Sequence, residues 1–285
     1  MSQIVRSQRS ASTRDLAYPL ALTAFMALGL RVSILGVAWP SIRTTFDLSQ
    51  SGLGVVLFVT GLGYLVSSFT LGRVIDRLGV GKMLIVSAAF LTITTVGIAL
   101  APSFPVMLGV SLLAGIGTGA IDAGINFFAT RRFTETQMNR LHGCFGVGAL
   151  VGPVLMGVLL GAGASWRTGY LLVSVIVAAL TVLFVRSRQI WETAAPQTDT
   201  AQSAANMSPR DVLSMPVMWV CLLIFMFISG IEQTSGQWAC SVIQEGMHTS
   251  DQVASLWSGL FWGGMAFGRL TLGGAAALVG TVPWI

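Results

Sequence analysis

Charge is what this sequence has least of. Asp, Glu, Lys and Arg together make up 9% of its 285 residues, against about a quarter in a soluble domain. The mean hydropathy is +0.78 and 54% of the residues are hydrophobic. That excludes a water-soluble globular protein and points to apolar helices in lipid. Lysine is reduced to Lys82 alone. Cysteine is scarce and odd in number: Cys144, Cys221 and Cys240 fall inside or at the ends of apolar runs. They read as small apolar filler, with neither a disulfide framework nor metal-ligand spacing. His142 and His248 are too few and too far apart to make a metal site by themselves. No Walker loop, nucleophile elbow or HExxH motif occurs, so neither ATP-driven transport within this chain nor hydrolysis has a motif behind it. An enzyme is not expected, and no cofactor or metal is. The arginines lie in loops between apolar runs and form no separate basic domain, which excludes nucleic acid as the partner despite the net charge of +5.

What is present is a series of apolar runs, each near the ~20 residues that cross the hydrocarbon. They cover 16–39, 52–71, 83–100, 105–130, 141–161, 169–185, 215–240 and 253–273. Residues 1–15 form a polar, basic tail without the look of a signal peptide. Residues 186–214 are rich in Ala, Ser, Thr and Gln and read as a linker. The organisation expected is a six-span bundle at 16–185 and a two-span portion at 215–285. With the N-terminus inside, the inner side collects Arg6, Arg9, Arg14, Arg73, Arg77, Lys82, Arg131, Arg132, Arg140, Arg186, Arg188 and Arg210. The outer loops hold Arg43 and Arg167. This asymmetry is what the positive-inside rule requires.

The chain turns on residues 115–153. An apolar, glycine-studded run passes the carboxylate Asp122, with Asn126 one turn on. It leaves through Arg131, Arg132 and Arg140 and re-enters a second glycine-studded run containing Pro153. A charge within a span costs about 2.5–3.5 kcal/mol on insertion scales and marks function by default. Gly115 and Gly119, like Gly148 and Gly152, have the small-xxx-small spacing that lets helices approach closely.

This stretch resembles the fourth and fifth spans of the major facilitator superfamily, and most of all its fucose-permease branch. In that branch a carboxylate and an asparagine four residues later sit in a Gly-rich fourth span. A short basic loop and an asparagine, here Asn139, precede a Gly-rich fifth span. The segment Gly72-Arg73-Val74-Ile75-Asp76-Arg77-Leu78-Gly79 resembles the superfamily's loop signature, with Val80 and Gly81 where basic residues are usual. Its functional reading is a tight turn with an ion-paired gate latch made by Gly72, Asp76, Arg77 and Gly79; its plain reading is an ordinary basic loop. The resemblance implies an all-α integral membrane bundle: a six-helix half plus the first two helices of a second half. It implies alternating access and proton-coupled uptake of a sugar or related polar metabolite. It also implies twelve spans, so that eight leave a C-terminal portion missing.

Asp122 then reads as a protonatable carboxylate facing a central cavity, or else as the partner of a buried arginine. Asn126 would bond a substrate hydroxyl or bridge helices. Arg31 departs from the branch, whose first span carries no cation. It would fork onto an anionic substrate or compensate Asp122 or Glu232. The seventh span holds Glu232, Gln233 and Trp238. Trp238 would stack on a sugar or, near the outer end, sit in the interfacial belt. A repeat at an offset of 232 − 31 = 201 aligns Arg31 with Glu232, Thr70-Leu71-Gly72 with Thr271-Leu272-Gly273, and Gly79 with Gly280. Halves related by an axis along the membrane normal would place Arg31 and Glu232 at one depth, facing each other as an ion pair. The function expected is secondary transport of a small solute with protons across the plasma membrane, N-terminus cytoplasmic. The alternatives are an exporter of drugs or organic anions, and a truncated membrane remnant without transport.

Overall fold

A computed structural model describes residues 2–192 and 209–279, with side chains from 16 to 192 and from 211 to 271. The chain is helical throughout the described residues apart from short turns. In order the helices are α1 (Ser2–Phe46), α2 (Gly52–Leu100), α3 (Phe104–Ala129), α4 (Glu135–Gly161), α5 (Trp166–Glu192), α6 (Pro209–Ser214), α7 (Pro216–Met247) and α8 (Asp251–Val279). Six of them, α1 to α5 and α7, are long and apolar enough to cross a membrane.

α2 holds two spans. Its 49 residues would measure roughly 74 Å if straight, over twice the ~30 Å hydrocarbon. The reversal comes at Gly79, with φ 75° and ψ 161°, a backbone conformation open mainly to glycine. Beyond it the two arms lie side by side on α3: Gly115 and Gly119 meet Thr60 and Tyr64 of the first arm, while Gly117 meets Leu91 of the second. The expected loop at 72–82 is therefore helical up to Leu78, and only Gly79 turns.

Other boundaries also shift outward. The helix of the first span begins at Ser2, so the expected tail is its continuation, and it runs past Pro40 to Phe46. α5 continues to Glu192, seven residues into the expected linker, whose part from 193 to 208 lies outside the described residues. Gly280 lies outside them too, so that match of the repeat has no structural counterpart here.

Small residues set the packing. α1 and α4 cross where Gly29 faces the carbonyl of Phe145 and Gly148 faces that of Met26. Gly152, beside the buried Pro153, meets Ser33. α4 then serves as the seam to α8, with Gly146 against Ala266 and Gly157 against Ser255. α7 touches α1 at Gly36, where the Gln237 carbonyl presses in. At one end Arg43 pairs with Glu245 at 2.8 Å, Trp166 Nε1 donates to Thr45 Oγ1 at 3.0 Å, and Arg167 caps the carbonyls of Ala99 and Ala101. At the opposite end lie the Gly79 turn and the C-termini of α3 and α5. Between the ends, large apolar side chains such as Phe58, Phe69 and Ile93 point outward at 67%, 84% and 68% exposure. Such a surface suits lipid and not water.

Candidate functional site

α3 presents one face at 115, 119, 122 and 126, the i, i+4, i+7 stripe of a helix. Gly115 and Gly119 on that stripe bring the first arm of α2 into backbone contact. The approach delivers Tyr64, whose hydroxyl donates to Asp122 Oδ2 in a short hydrogen bond. Asn126 Nδ2 donates to Asp122 Oδ1 at 3.3 Å and to its backbone carbonyl at 3.0 Å. All three side chains are half-buried. Asp122 has no ion pair among the described residues, so the arginine partner weighed for it is absent there. A carboxyl held by a phenol and an amide has a polar setting without a fixed counter-charge. It can exist with or without a proton, which an Arg partner would oppose.

Arg31 lies on α1 and is 7% exposed. Its Nε is buried without a hydrogen-bond partner, and the residue has no ion pair among the described residues. Tyr170 of α5 is a neighbour of it. A buried guanidinium normally has a carboxylate in its fork. Next to it in sequence, the Val32 carbonyl accepts from Gln237 Nε2 at 3.1 Å. Gln237 is itself 1% exposed, with its Oε1 unsatisfied.

The expected pairing of Arg31 with Glu232 is not formed. Glu232 Oε2 instead accepts from Arg269 Nη2 of α8 at 3.1 Å. The depth argument survives: the Val32–Gln237 and Arg43–Glu245 contacts give offsets of 237 − 32 = 205 and 245 − 43 = 202. What fails is direction. Depth follows from the repeat, but the azimuth of Glu232 turns it toward α8 and into an open groove of about 430 Å³ lined by Ile228, Ile231, Phe261 and Met265. Charge reversal separates the two pairings. Glu232→Arg alone is expected to impair folding by about 1 kcal/mol or more, the scale of a part-exposed pair. Adding Arg269→Glu restores the melting temperature, whereas adding Arg31→Glu does not.

Gln233 is half-buried, and Trp238 packs with the core near Gly54, close to the Arg43–Glu245 end. Gly72, Asp76 and Arg77 are exposed. Neither Asp76 nor Arg77 forms an ion pair among the described residues, so the latch is not an ion-paired one in this conformation. The helix continues through Gly72, and both charged side chains ride its outer surface in the turn before Gly79. Tyr64, Gln237 and Arg269 are the polar groups that sequence reasoning left out of the site. For Tyr64 the signal was there: Tyr64, Ser67 and Ser68 make a polar patch at i, i+3, i+4 in an otherwise apolar span. Among the described residues no group of three or more His, Cys, Asp or Glu could hold a metal ion.

Paired apolar helices, buried charge and lipid-facing surface define a multi-pass α-helical membrane protein. Residues 20–284 match the Major Facilitator Superfamily, and the chain belongs to it. Relatives include a hexuronate transporter of Bacillus subtilis, 28% identical over 54% of this chain and 37% of its own length. Another is the 3-(3-hydroxy-phenyl)propionate transporter of Escherichia coli, 26% identical over 77% of this chain and 57% of its own. The chain spans about half the length of the curated relatives it matches. The fold is similar to that of a nucleoside transporter, with TM-score 0.62 at 16% identity over 95% of this chain and 67% of the other. It is similar also to a D-xylose-proton symporter, with TM-score 0.56 at 16% identity over 85% and 64%.

Proposed function

We propose that the chain serves proton-coupled transport of a small organic carboxylate by alternating access, with Arg31 as the anion anchor and Asp122 as the proton-carrying group. One observation carries this reading: Arg31 is a buried cation whose fork holds no carboxylate. A substrate carboxylate would supply the missing partner and leave again as the site reopens. The names of three relatives are in keeping with it, being transporters of hexuronate, of 3-(3-hydroxy-phenyl)propionate and of cis,cis-muconate, the last from Acinetobacter baylyi. Each named solute is a carboxylate.

A second reading, sugar symport of the fucose-permease kind, draws on the Asp122–Asn126 pair and on relatives such as a human sodium-dependent glucose transporter. A sugar acid would satisfy both, its hydroxyls at Asn126 and its carboxylate at Arg31. In this reading Gln233 and Gln237 add polar contacts, Glu232 with Arg269 forms a cavity-side pair, and Trp238 serves as an interfacial anchor. The Gly72–Gly79 segment acts as the inner gate through its turn. The arginine-rich end is cytoplasmic, as the positive-inside rule asks, and the membrane is the plasma membrane.

Proteoliposome uptake tests this with a hexuronate, 3-(3-hydroxyphenyl)propionate, xylose and a cationic dye. The two acids are expected to enter, and Arg31→Gln to slow them about a hundredfold, the upper scale of a charge-assisted hydrogen bond lost. Arg31→Lys should recover part of the loss, since a point charge cannot reproduce the fork. Uptake of xylose without either acid would sink the carboxylate reading.

A further inference from the structure

Far from Arg31, at the Gly79 end of the bundle, a second cavity of about 520 Å³ opens between the α2 turn and the C-termini of α3 and α5. Its lining includes Lys82, Arg131, Arg132 and Arg188, with Glu192 as the one carboxylate. Four cations on one concave wall repel each other, so the first question is what already offsets them. The C-termini of α3 and α5 contribute about half a negative unit each. With Glu192, whose Oε1 accepts from Arg188 Nε at 2.8 Å, this balances about two of the four charges. The N-terminus of the second arm of α2 adds positive potential of its own.

The donors are oriented. Arg131 lies over Phe127, its Cζ 3.6 Å from the ring centroid, and spends Nη1 on the Phe127 carbonyl. Arg132 lies over Phe128 at 4.6 Å. The Arg131 guanidinium has five N–H groups, so these contacts hold it in place and leave donors over. Lys82 is exposed and has no hydrogen bond or ion pair among the described residues. Gly81 presses against the Arg188 carbonyl, which brings the Lys82 and Arg188 helices together at the mouth. One turn away on the same helices, Val86 and Val185 are 59% and 54% exposed. Basic wall and lipid-facing apolar surface are thus continuous.

We propose that this pocket is a phosphate-anion site that takes the headgroup of an anionic phospholipid, with the acyl chains running along Val86 and Val185. Basic pockets between spans are suited to such headgroups. The apolar continuation is what favours a lipid over free phosphate, which would need the cations alone.

Native mass spectrometry of the purified full chain in detergent gives the test, with phosphatidylglycerol, phosphatidylcholine or sodium phosphate added. The expected result is saturable retention of one phosphatidylglycerol, with little phosphatidylcholine. Lys82→Gln with Arg131→Gln should weaken it about twenty-five-fold, from about fivefold per basic residue. Arg140→Gln, at the same end of the bundle but outside the pocket, should not. If the double variant fails to fold, Lys82→Glu alone carries the same test, because that side chain is exposed and unpaired. Millimolar phosphate that displaces the lipid would keep the anion site and overturn the lipid as its source. Retention unchanged in the pocket variants, or equally weakened by Arg140→Gln, would overturn the site itself.

Discussion

Asp122→Asn is expected to abolish concentrative uptake while leaving exchange intact. A carboxylate that enters with one proton moves no net charge, so the pH gradient alone drives it. One pH unit is worth 1.36 kcal/mol, so the parent chain should concentrate its solute about tenfold for each unit of inward-acid gradient. The variant should reach about onefold, because an amide cannot carry the proton. Counterflow of labelled for unlabelled solute needs no net proton movement and should persist. The isosteric amide also keeps the acceptor that Tyr64 donates to, so the helix contact survives the change. Tyr64→Phe gives the complementary result. It keeps the carboxyl, removes its principal donor and is expected to shift the pH dependence of uptake without abolishing accumulation. Equal loss of uptake and counterflow in Asp122→Asn would show that the carboxylate holds α2 to α3 and does nothing more.

Much of this was legible in the residues and some was not, for definite physical reasons. The α3 stripe was readable because small-xxx-small spacing and a carboxylate three residues on share one helical face. The spans in α1 to α5 and α7 were readable because charge, apart from Arg31, Asp122 and Glu232, gathers at their ends. Helix ends were read too short wherever polar residues continued a helix past the hydrocarbon, as at Glu192 and Phe46. The Gly79 turn was read too wide: a loop signature of eight residues concealed a reversal at one. Depth across the repeat was readable, but azimuth was not, and so Glu232 was given Arg31 in place of Arg269. A partner on a neighbouring span leaves no mark in the chain's own periodicity. Tyr64 shows the same difficulty, since only the closeness permitted by Gly119 makes its hydroxyl reach Asp122.

The second large effect concerns the α1–α4 crossing. Gly148→Ala is expected to lower stability by about 3 kcal/mol, the top of the usual range for overpacking, and Gly148→Leu to prevent recovery of folded protein. A Cβ at 148 would meet the Met26 carbonyl, and a Cβ at 29 would meet that of Phe145. Both obstacles are main chain. A side-chain tip can rotate aside, but a carbonyl moves only with its helix, so the two helices must separate. Separation strips contact from Ser33 at Gly152, one turn along the same face. In lipid no hydrophobic force draws the helices back, because the tails are as apolar as the side chains. The loss also spreads, since α4 carries the seam to α8 on its other faces, at Gly146 and Gly157. Gly264 of α8 supplies the contrast, with nothing within 4 Å of its added Cβ. Gly264→Ala is expected to be neutral or to stabilise by up to about 1 kcal/mol through helix propensity. Melting of the detergent-solubilised chain, followed by tryptophan fluorescence, measures the two alanine variants, and the yield of folded protein measures Gly148→Leu. A Gly148→Ala protein that melts with the parent would mean that α1 and α4 do not cross at this distance.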